Sequence, residues 1–245
     1  MSVRVHTDDF DPGDLLRRAA PDIAHDLNNL RAIVQGNLRL VRQDAKSSSR
    51  QDLEEPLADV DMAFQLMVSQ VQGVLALARG TPALAPAPQS VPGILRKVET
   101  LARWALPPQF RIAMPAKPPP IMVAADPELL QAAILRLVIC AKDAAPGGGD
   151  LEICASAEVG QGVAETTDPS GAGIGRQVRI CVEIPGSLPG ADAAGESPAG
   201  ARFALRFELA LALARRAVAP AGDVLWGNKP AGRGFVCLLL PLGDS

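Results

Sequence analysis

The chain has little or none of several residue types on which large classes of proteins depend. It has no tyrosine, and aromatic residues make up 3% of its 245 residues. Lys and Arg number 24 against 27 Asp and Glu, whereas a domain that binds nucleic acid carries a clear basic excess. Two histidines are too few for a histidine-rich metal site. We therefore expect neither a nucleic-acid partner nor a bound metal.

Long apolar runs and closely spaced cysteine pairs are also missing. No stretch reaches the roughly 18 apolar residues that a membrane-spanning helix requires, so we expect no membrane insertion. The N-terminus, Met1 to Asp11, has acidic residues and no apolar core, unlike a signal peptide. Without a CxxC pair, the cysteines are typical of reduced core residues in a cytoplasmic protein, with a disulfide framework or a zinc site as the alternatives. They are Cys140, Cys154, Cys181 and Cys237.

Residues 14–80 show helical periodicity in two parts. Apolar residues recur at steps of three and four from Leu15 to Val41 and from Leu53 to Leu77, with a polar break at Lys46–Arg50. This pattern predicts a helical hairpin as the N-terminal unit of the chain, residues 1–80. One hairpin cannot bury its apolar stripe alone, so we expect a homodimer in which two hairpins form a four-helix bundle.

A proline-rich segment, residues 81–92, is typical of a semi-rigid linker. Helical and β patterns then alternate irregularly over residues 93–245. Asp126 and the proline after it predict the start of a helix that runs from Pro127 to Ala145. Leu151–Val159 and Gln177–Ile184 alternate as the strands of a hairpin do. The sequence therefore predicts an α+β protein, a long helical hairpin followed by an α/β sandwich of one sheet layer and one helix layer.

The strongest chemical signal is Ile23-Ala24-His25-Asp26-Leu27-Asn28-Asn29-Leu30 on the first predicted helix. An imidazole can accept a phosphoryl group or act as a base near neutral pH. Asp26 can hydrogen-bond the ring and fix its tautomer. Asn29 lies one turn further along the same face, where its amide can orient a water or a phosphoryl oxygen. On spacing alone, a solvent-facing histidine beside an aspartate remains the simpler interpretation.

The wider sequence resembles bacterial sensor histidine kinases over nearly the whole chain. The box I-A-H-D-L-N-N-L, followed by Gly36-Asn37-Leu38, resembles the phosphoacceptor box I-A-H-D-F-N-N-L of one branch of that family. Lys142–Gly149 resembles the R-D-A-M-P-G-G-G ending of the family's N box. The resemblance implies that His25 is the phosphorylated residue, that Asp26 is its acid–base neighbour, and that Asn29 matches the position tied to water-mediated dephosphorylation.

The ATP-binding boxes of that family are degraded in this chain. The magnesium-binding asparagine aligns with Cys140, and a thiol is a poor ligand for this hard cation. The adenine-binding aspartate aligns with Ile184, while Glu183 comes one residue early and would lie on the opposite face of a strand. Bulky side chains replace the glycines of the phosphate-binding helix start. The predicted degenerate ATP site consists of Cys140, Asp143, Ile184, Gly186, Phe207 and Leu209.

Gly171-Ala172-Gly173-Ile174-Gly175 looks like a phosphate-binding loop. It does not open a predicted helix, as the dinucleotide fingerprint requires, so we interpret it as a flexible hairpin loop. The small, polar segment Pro189–Gly200 stands in the place of the family's ATP lid, and we expect it to be mobile.

These features favour a dimeric histidine phosphotransferase of a two-component phosphorelay. His25 would receive a phosphoryl group from the aspartate of one response-regulator receiver and pass it to another. The receiver would supply the magnesium, so no resident cofactor is expected, and the remnant ATPase-like domain would serve as its docking surface. Two alternatives remain open. One is a cytoplasmic histidine kinase that autophosphorylates His25 with MgATP, and the other is a non-catalytic adaptor that binds a receiver.

Overall fold

The computed structural model describes residues 11–44, 50–78, 88–115, 120–159, 176–189, 198–219, 222–229 and 232–242. The helices in these ranges are α1 (Pro12–Asp44), α2 (Arg50–Ala78), α3 (Val91–Ala105), α4 (Pro127–Ile139), α5 (Ala141–Ala144) and α6 (Pro198–Val218). The strands are β1 (Pro88–Ser90), β2 (Phe110–Ala113), β3 (Met122–Ala124), β4 (Gly149–Val159), β5 (Arg176–Ile184), β6 (Asp223–Asn228) and β7 (Gly234–Pro241). The predicted order, N-terminal helices followed by a mixed α+β part with a sheet, is confirmed.

The two N-terminal helices pack against each other as a hairpin. Asp11 accepts a hydrogen bond from the Gly13 N–H at 2.8 Å, which satisfies one of the free donors at the start of α1. Leu15 and Leu30 of α1 and Leu66 of α2 are among the apolar side chains buried between these helices and the rest of the chain. Because α2 also packs on α4, the hairpin lies against the mixed part of the fold.

A five-stranded sheet has the order β2-β4-β5-β7-β6, in which β2 runs parallel to β4 and the other pairs are antiparallel. The predicted hairpin of β4 and β5 is present. Helices α3, α4 and α6 contact strands of this sheet, and alternate residues such as Ile153, Ile180 and Leu238 are fully buried. One face of the sheet therefore carries the helix layer, as the predicted sandwich requires.

Two local features differ from the sequence-based expectation. The end of the predicted linker, Pro88–Ser90, forms β1, which pairs antiparallel with β3. The predicted helix over Pro127–Ala145 is divided at Cys140, because the Asp143 N–H bonds to the Cys140 carbonyl only three residues back. The predicted N-terminal cap is present, since Asp126 accepts hydrogen bonds from the N–H groups of Glu128 at 2.9 Å and Leu129 at 3.0 Å.

The expectation of four reduced cysteines is wrong for one pair. A disulfide joins Cys181 of β5 to Cys237 of β7, at facing positions of the two strands. Cys140 is free and buried, and Cys154 is free and exposed. The pair lies 56 residues apart in the sequence, so only the sheet register brings the two thiols together.

One helical segment among the described residues, Leu53–Ala78, is long and apolar enough by composition to cross a membrane. Core helices of soluble proteins have the same length and composition. The predicted loop at Gly171–Gly175 lies outside the described residues. The same is true of the Pro189–Gly200 segment, apart from its first residue and its last three.

Candidate functional site

The three residues predicted to carry the chemistry lie together on α1. The His25 side chain is 61% exposed, which leaves the imidazole accessible to a partner. Its Nδ1 atom lies 3.1 Å from Nδ2 of Asn29 and 3.7 Å from Oδ1 of Asp26. Both contacts converge on Nδ1, and Nε2 has no partner among the described residues.

The contact with Asn29 can hold either tautomer of the ring. As placed, the Asn29 amide donates to an unprotonated Nδ1, and the ring proton lies on Nε2. If the amide is turned over, Nδ1–H donates to the Asn29 oxygen, and the lone pair of Nε2 becomes available for attack. The nearby Asp26 carboxylate favours a proton on Nδ1. The second arrangement is therefore the one that suits a phosphoryl acceptor.

Asp26 is held from the other side by Arg206 of α6. The guanidinium Nη2 of Arg206 donates to Asp26 Oδ1 at 3.1 Å, Nη1 donates to Asp143 Oδ2 at 3.3 Å, and Nε lies 3.7 Å from Asp22 Oδ2. The Arg206 side chain is 16% exposed. Burial lowers the pKa of Arg206, but the carboxylates of Asp26 and Asp143 outweigh that effect and raise it overall. Arg206 is therefore a fixed cation next to the histidine.

Further ion pairs extend this contact along α1 and α6. Glu208 accepts two hydrogen bonds from Arg18, at 2.9 and 3.2 Å, and Arg202 lies 3.4 Å from Asp22. We name Arg206 with Asp22, Asp26 and Asp143 the Arg206 cluster. Sequence reasoning missed it. The sequence shows Asp22 and Asp26 four residues apart, and Arg202 and Arg206 four residues apart. About 180 residues of chain separate the acids from the arginines, so nothing local indicates that they meet.

Four residues of the predicted degenerate ATP site are core side chains. The expectation that Phe207 and Leu209 stand at a helix start is wrong, because α6 begins nine residues earlier, at Pro198. Cys140, Ile184, Phe207 and Leu209 are each at most 3% exposed. The Phe207 ring packs edge-on against Trp226, with centroids 5.3 Å apart. Burial raises the pKa of the Cys140 thiol to about 12, so it is a neutral group rather than a metal ligand.

The other aligned residues have structural roles. Asp143 is paired with Arg206. Gly186 has a φ of +91°, and a Cβ there would lie 2.2 Å from the Ala144 carbonyl, so the turn after β5 needs glycine to pack against α5. Glu183 lies on the face of β5 opposite Ile184, as expected, and pairs with Lys229.

Two polar contacts connect α2 to the mixed part of the fold. The indole N–H of Trp104 donates to Asp59 at 2.9 Å. Arg136, which is almost fully buried, donates to Gln70 at 3.4 Å, and burial lowers its pKa. Among the described residues, no group of three or more His, Cys, Asp or Glu side chains is placed to hold a metal ion.

Comparison with known proteins gives a distant structural likeness. No family model matches the chain, and no curated protein matches its sequence. Among solved structures, full-length ShkA, a histidine kinase, in complex with AMPPNP aligns with 92% of this chain at 20% identity and a TM-score of 0.44. The aligned part is 46% of that chain, so the present chain spans about half of its length.

Proposed function

We propose that this chain is a histidine phosphotransfer protein of a two-component phosphorelay. The observation that carries the proposal is an exposed imidazole whose Nδ1 faces an amide and a carboxylate, beside an ATP-box region filled with apolar side chains. The first feature suits an acceptor and donor of phosphoryl groups. The second feature argues that the phosphoryl group comes from a protein donor rather than from bound ATP.

The transfer step follows from the tautomer that Asp26 favours. Nε2 of His25 attacks the phosphorus of the aspartyl phosphate on a receiver domain, the bond from phosphorus to the aspartate oxygen breaks, and the receiver carboxylate leaves. The proton stays on Nδ1, where Asp26 offsets the positive charge of the phosphorylated ring. The return step to a second receiver reverses these bonds. The magnesium ion that neutralises the phosphoryl oxygens belongs to the receiver.

A second copy of the chain is the partner that fits the exposed apolar side of the hairpin. Apolar residues on α2 recur at steps of seven, four, three and four and form one stripe, in which Phe64 is 58% exposed. Two further exposed residues lie seven apart on α1. Pairing two such stripes gives the proposed four-helix bundle, and the stripe also accounts for the membrane-like composition of Leu53–Ala78. In the part of the chain that the structure describes, the large apolar residues that are exposed are Ile33, Leu40, Leu57, Phe64, Val68, Val71 and Leu75.

Phosphotransfer from a receiver labelled on its phosphoryl group tests the proposal. The wild type should gain acid-labile label, and His25→Ala should gain none. His6→Ala is the matched control, because His6 is the other histidine of the chain, and it should be labelled like the wild type. Equal labelling of His25→Ala and wild type would exclude the proposed role.

Two measurements separate the alternatives. Calorimetric titration with MgATP should show no binding, whereas binding followed by labelling of His25 from ATP alone would establish the kinase. An adaptor would bind the receiver and keep its effect in cells when His25 is replaced by alanine, and the proposed phosphotransfer protein would lose that effect.

A further inference from the structure

Three cysteines form a row across three neighbouring strands of the sheet. Cys154 of β4 faces Cys181 of β5, and Cys181 in turn faces Cys237 of β7. Facing residues of antiparallel strands project to the same side of a sheet. The flanking residues Ile153 and Ile180 are buried under the helix layer, so the row lies on the opposite side of the sheet.

The strand register places the three cysteines next to each other. The Cα atoms of Cys181 and Cys237 are 4.1 Å apart, which is typical of a pair that does not exchange backbone hydrogen bonds. The backbone groups of Cys181 therefore point toward β4, where facing Cα atoms are about 5.5 Å apart, a separation that a disulfide spans.

The three sulfurs differ in access to solvent. Cys181 and Cys237 are each 8% exposed and are joined to each other, whereas Cys154 is free and exposed. A dissolved thiol therefore meets Cys154 more readily than it meets the disulfide. The strand order places Cys154 on the side of Cys181 away from Cys237, which is the side from which an attacking sulfur approaches when the Cys237 sulfur leaves.

We propose that the row is a thiol–disulfide exchange site at which Cys154 connects the Cys181–Cys237 disulfide to low-molecular-weight thiols and disulfides. In reduction, the Cys154 thiolate attacks Sγ of Cys181, the Cys181–Cys237 bond breaks, and Cys237 leaves as a thiolate that takes up a proton. A small thiolate then attacks Sγ of Cys154 and frees Cys181. A second small thiol removes the first as a symmetric disulfide and restores Cys154. Oxidation by a small disulfide runs the same steps in reverse.

Proximity makes this route faster than direct attack. Desolvation and the nearby Glu152 carboxylate raise the pKa of Cys154, so its thiolate fraction is small. A correctly placed intramolecular nucleophile nevertheless reacts as if present at about 10⁵ M or more, far above any dissolved thiol. The site lies on the sheet face away from the helices that hold His25, so it does not depend on the proposed phosphotransfer.

The rate at which reduced glutathione opens the disulfide tests the proposal. The oxidised full-length chain is mixed with reduced glutathione, quenched in acid, alkylated and mapped by mass spectrometry. Cys154→Ser should slow the opening at least tenfold, and Cys140→Ser, which removes the buried free thiol, should leave the rate unchanged. An equal rate for Cys154→Ser and wild type would refute the proposal.

A second variant tests the geometry independently. In Cys237→Ser, oxidised glutathione should join Cys154 to Cys181, with release of two reduced glutathione molecules for each disulfide formed. Recovery of only glutathione mixed disulfides on Cys154, without that cross-strand bond, would overturn the assignment. So would an oxidised wild-type chain that contains no Cys181–Cys237 disulfide.

Discussion

Replacement of Arg206 by alanine tests most directly how the histidine helix is held. The change removes one cation from among three carboxylates and leaves Asp22, Asp26 and Asp143 facing each other. Their side chains are 16%, 23% and 25% exposed, and Arg206 itself is 16% exposed. In exposure the Arg206 cluster is therefore intermediate between two kinds of ion pair. Exposed pairs contribute about 0.2–1 kcal/mol, and disruption of fully buried pairs costs about 3–5 kcal/mol.

We expect Arg206→Ala to lower the free energy of unfolding by about 2–3 kcal/mol. For a chain of this size that corresponds to a fall in melting temperature of about 4–12 °C. Denaturant titration followed by circular dichroism measures the change. Arg202→Ala is the matched control on the same helix, because Arg202 is 58% exposed and makes one contact, at 3.4 Å, with Asp22. It should cost no more than about 1 kcal/mol.

Replacement of one acid of the Arg206 cluster by its neutral amide should change the free energy of unfolding in opposite directions with and without Arg206. In the wild type, Asp143→Asn removes a partner of Arg206 and should destabilise the fold. In the Arg206→Ala background the same change relieves repulsion from Asp26, so it should stabilise the fold. The reasoning fails if Arg206→Ala costs no more than Arg202→Ala, or if Asp143→Asn destabilises both backgrounds equally.

Three further changes have defined outcomes. Asn29→Ala removes the amide beside Nδ1 of His25 and should slow receiver dephosphorylation about tenfold, because one hydrogen bond is lost. Asn28→Ala, at the exposed neighbouring position, should leave the rate unchanged, and equal rates for the two variants would contradict a role of Asn29 in dephosphorylation. Val68→Glu places a charge in the exposed apolar stripe and should convert dimers to monomers, as measured by light scattering. Ala58→Glu, on another side of α2, should leave the dimer intact. A monomeric wild type would refute the proposed four-helix bundle. The unfolded Cys140 thiol ionises near its ordinary pKa of 9.0 and the folded one at about 12, so the native state holds more protons in that range and loses stability as the pH rises. Cys140→Ala should remove that part of the slope, up to about 1.4 kcal/mol per pH unit, and an unchanged slope would contradict it.

Features set by neighbouring residues could be predicted from the sequence. The two helices of the hairpin follow from apolar residues at steps of three and four, and the cap at Asp126 follows from its place before a proline. The opposite orientation of Glu183 and Ile184 follows from the two-residue period of a strand. Each of these depends on side chains within one or two turns of one element.

Features that depend on distant pairing could not be predicted. The disulfide of Cys181 and Cys237 requires the register of β5 on β7, which a one-residue shift would destroy. The contact of Arg206 with Asp26 requires the position of α6 across α1. In both cases the residues are visible in the sequence, but the geometry that joins them arises only when the elements pack.

Helix α6 carries both two buried residues of the predicted ATP site and the arginine that contacts the carboxylate beside the histidine. Phe207 and Leu209, two residues of the ATP site predicted from the sequence, lie in the middle of α6 and are buried in the core. Their burial fixes the rotation of α6 about its axis. With that rotation fixed, Arg202 and Arg206, four residues apart on one face, are directed toward Asp22 and its neighbours on α1. The apolar side chains that anchor α6 in the core therefore hold it in the orientation from which Arg206 reaches the carboxylate beside His25.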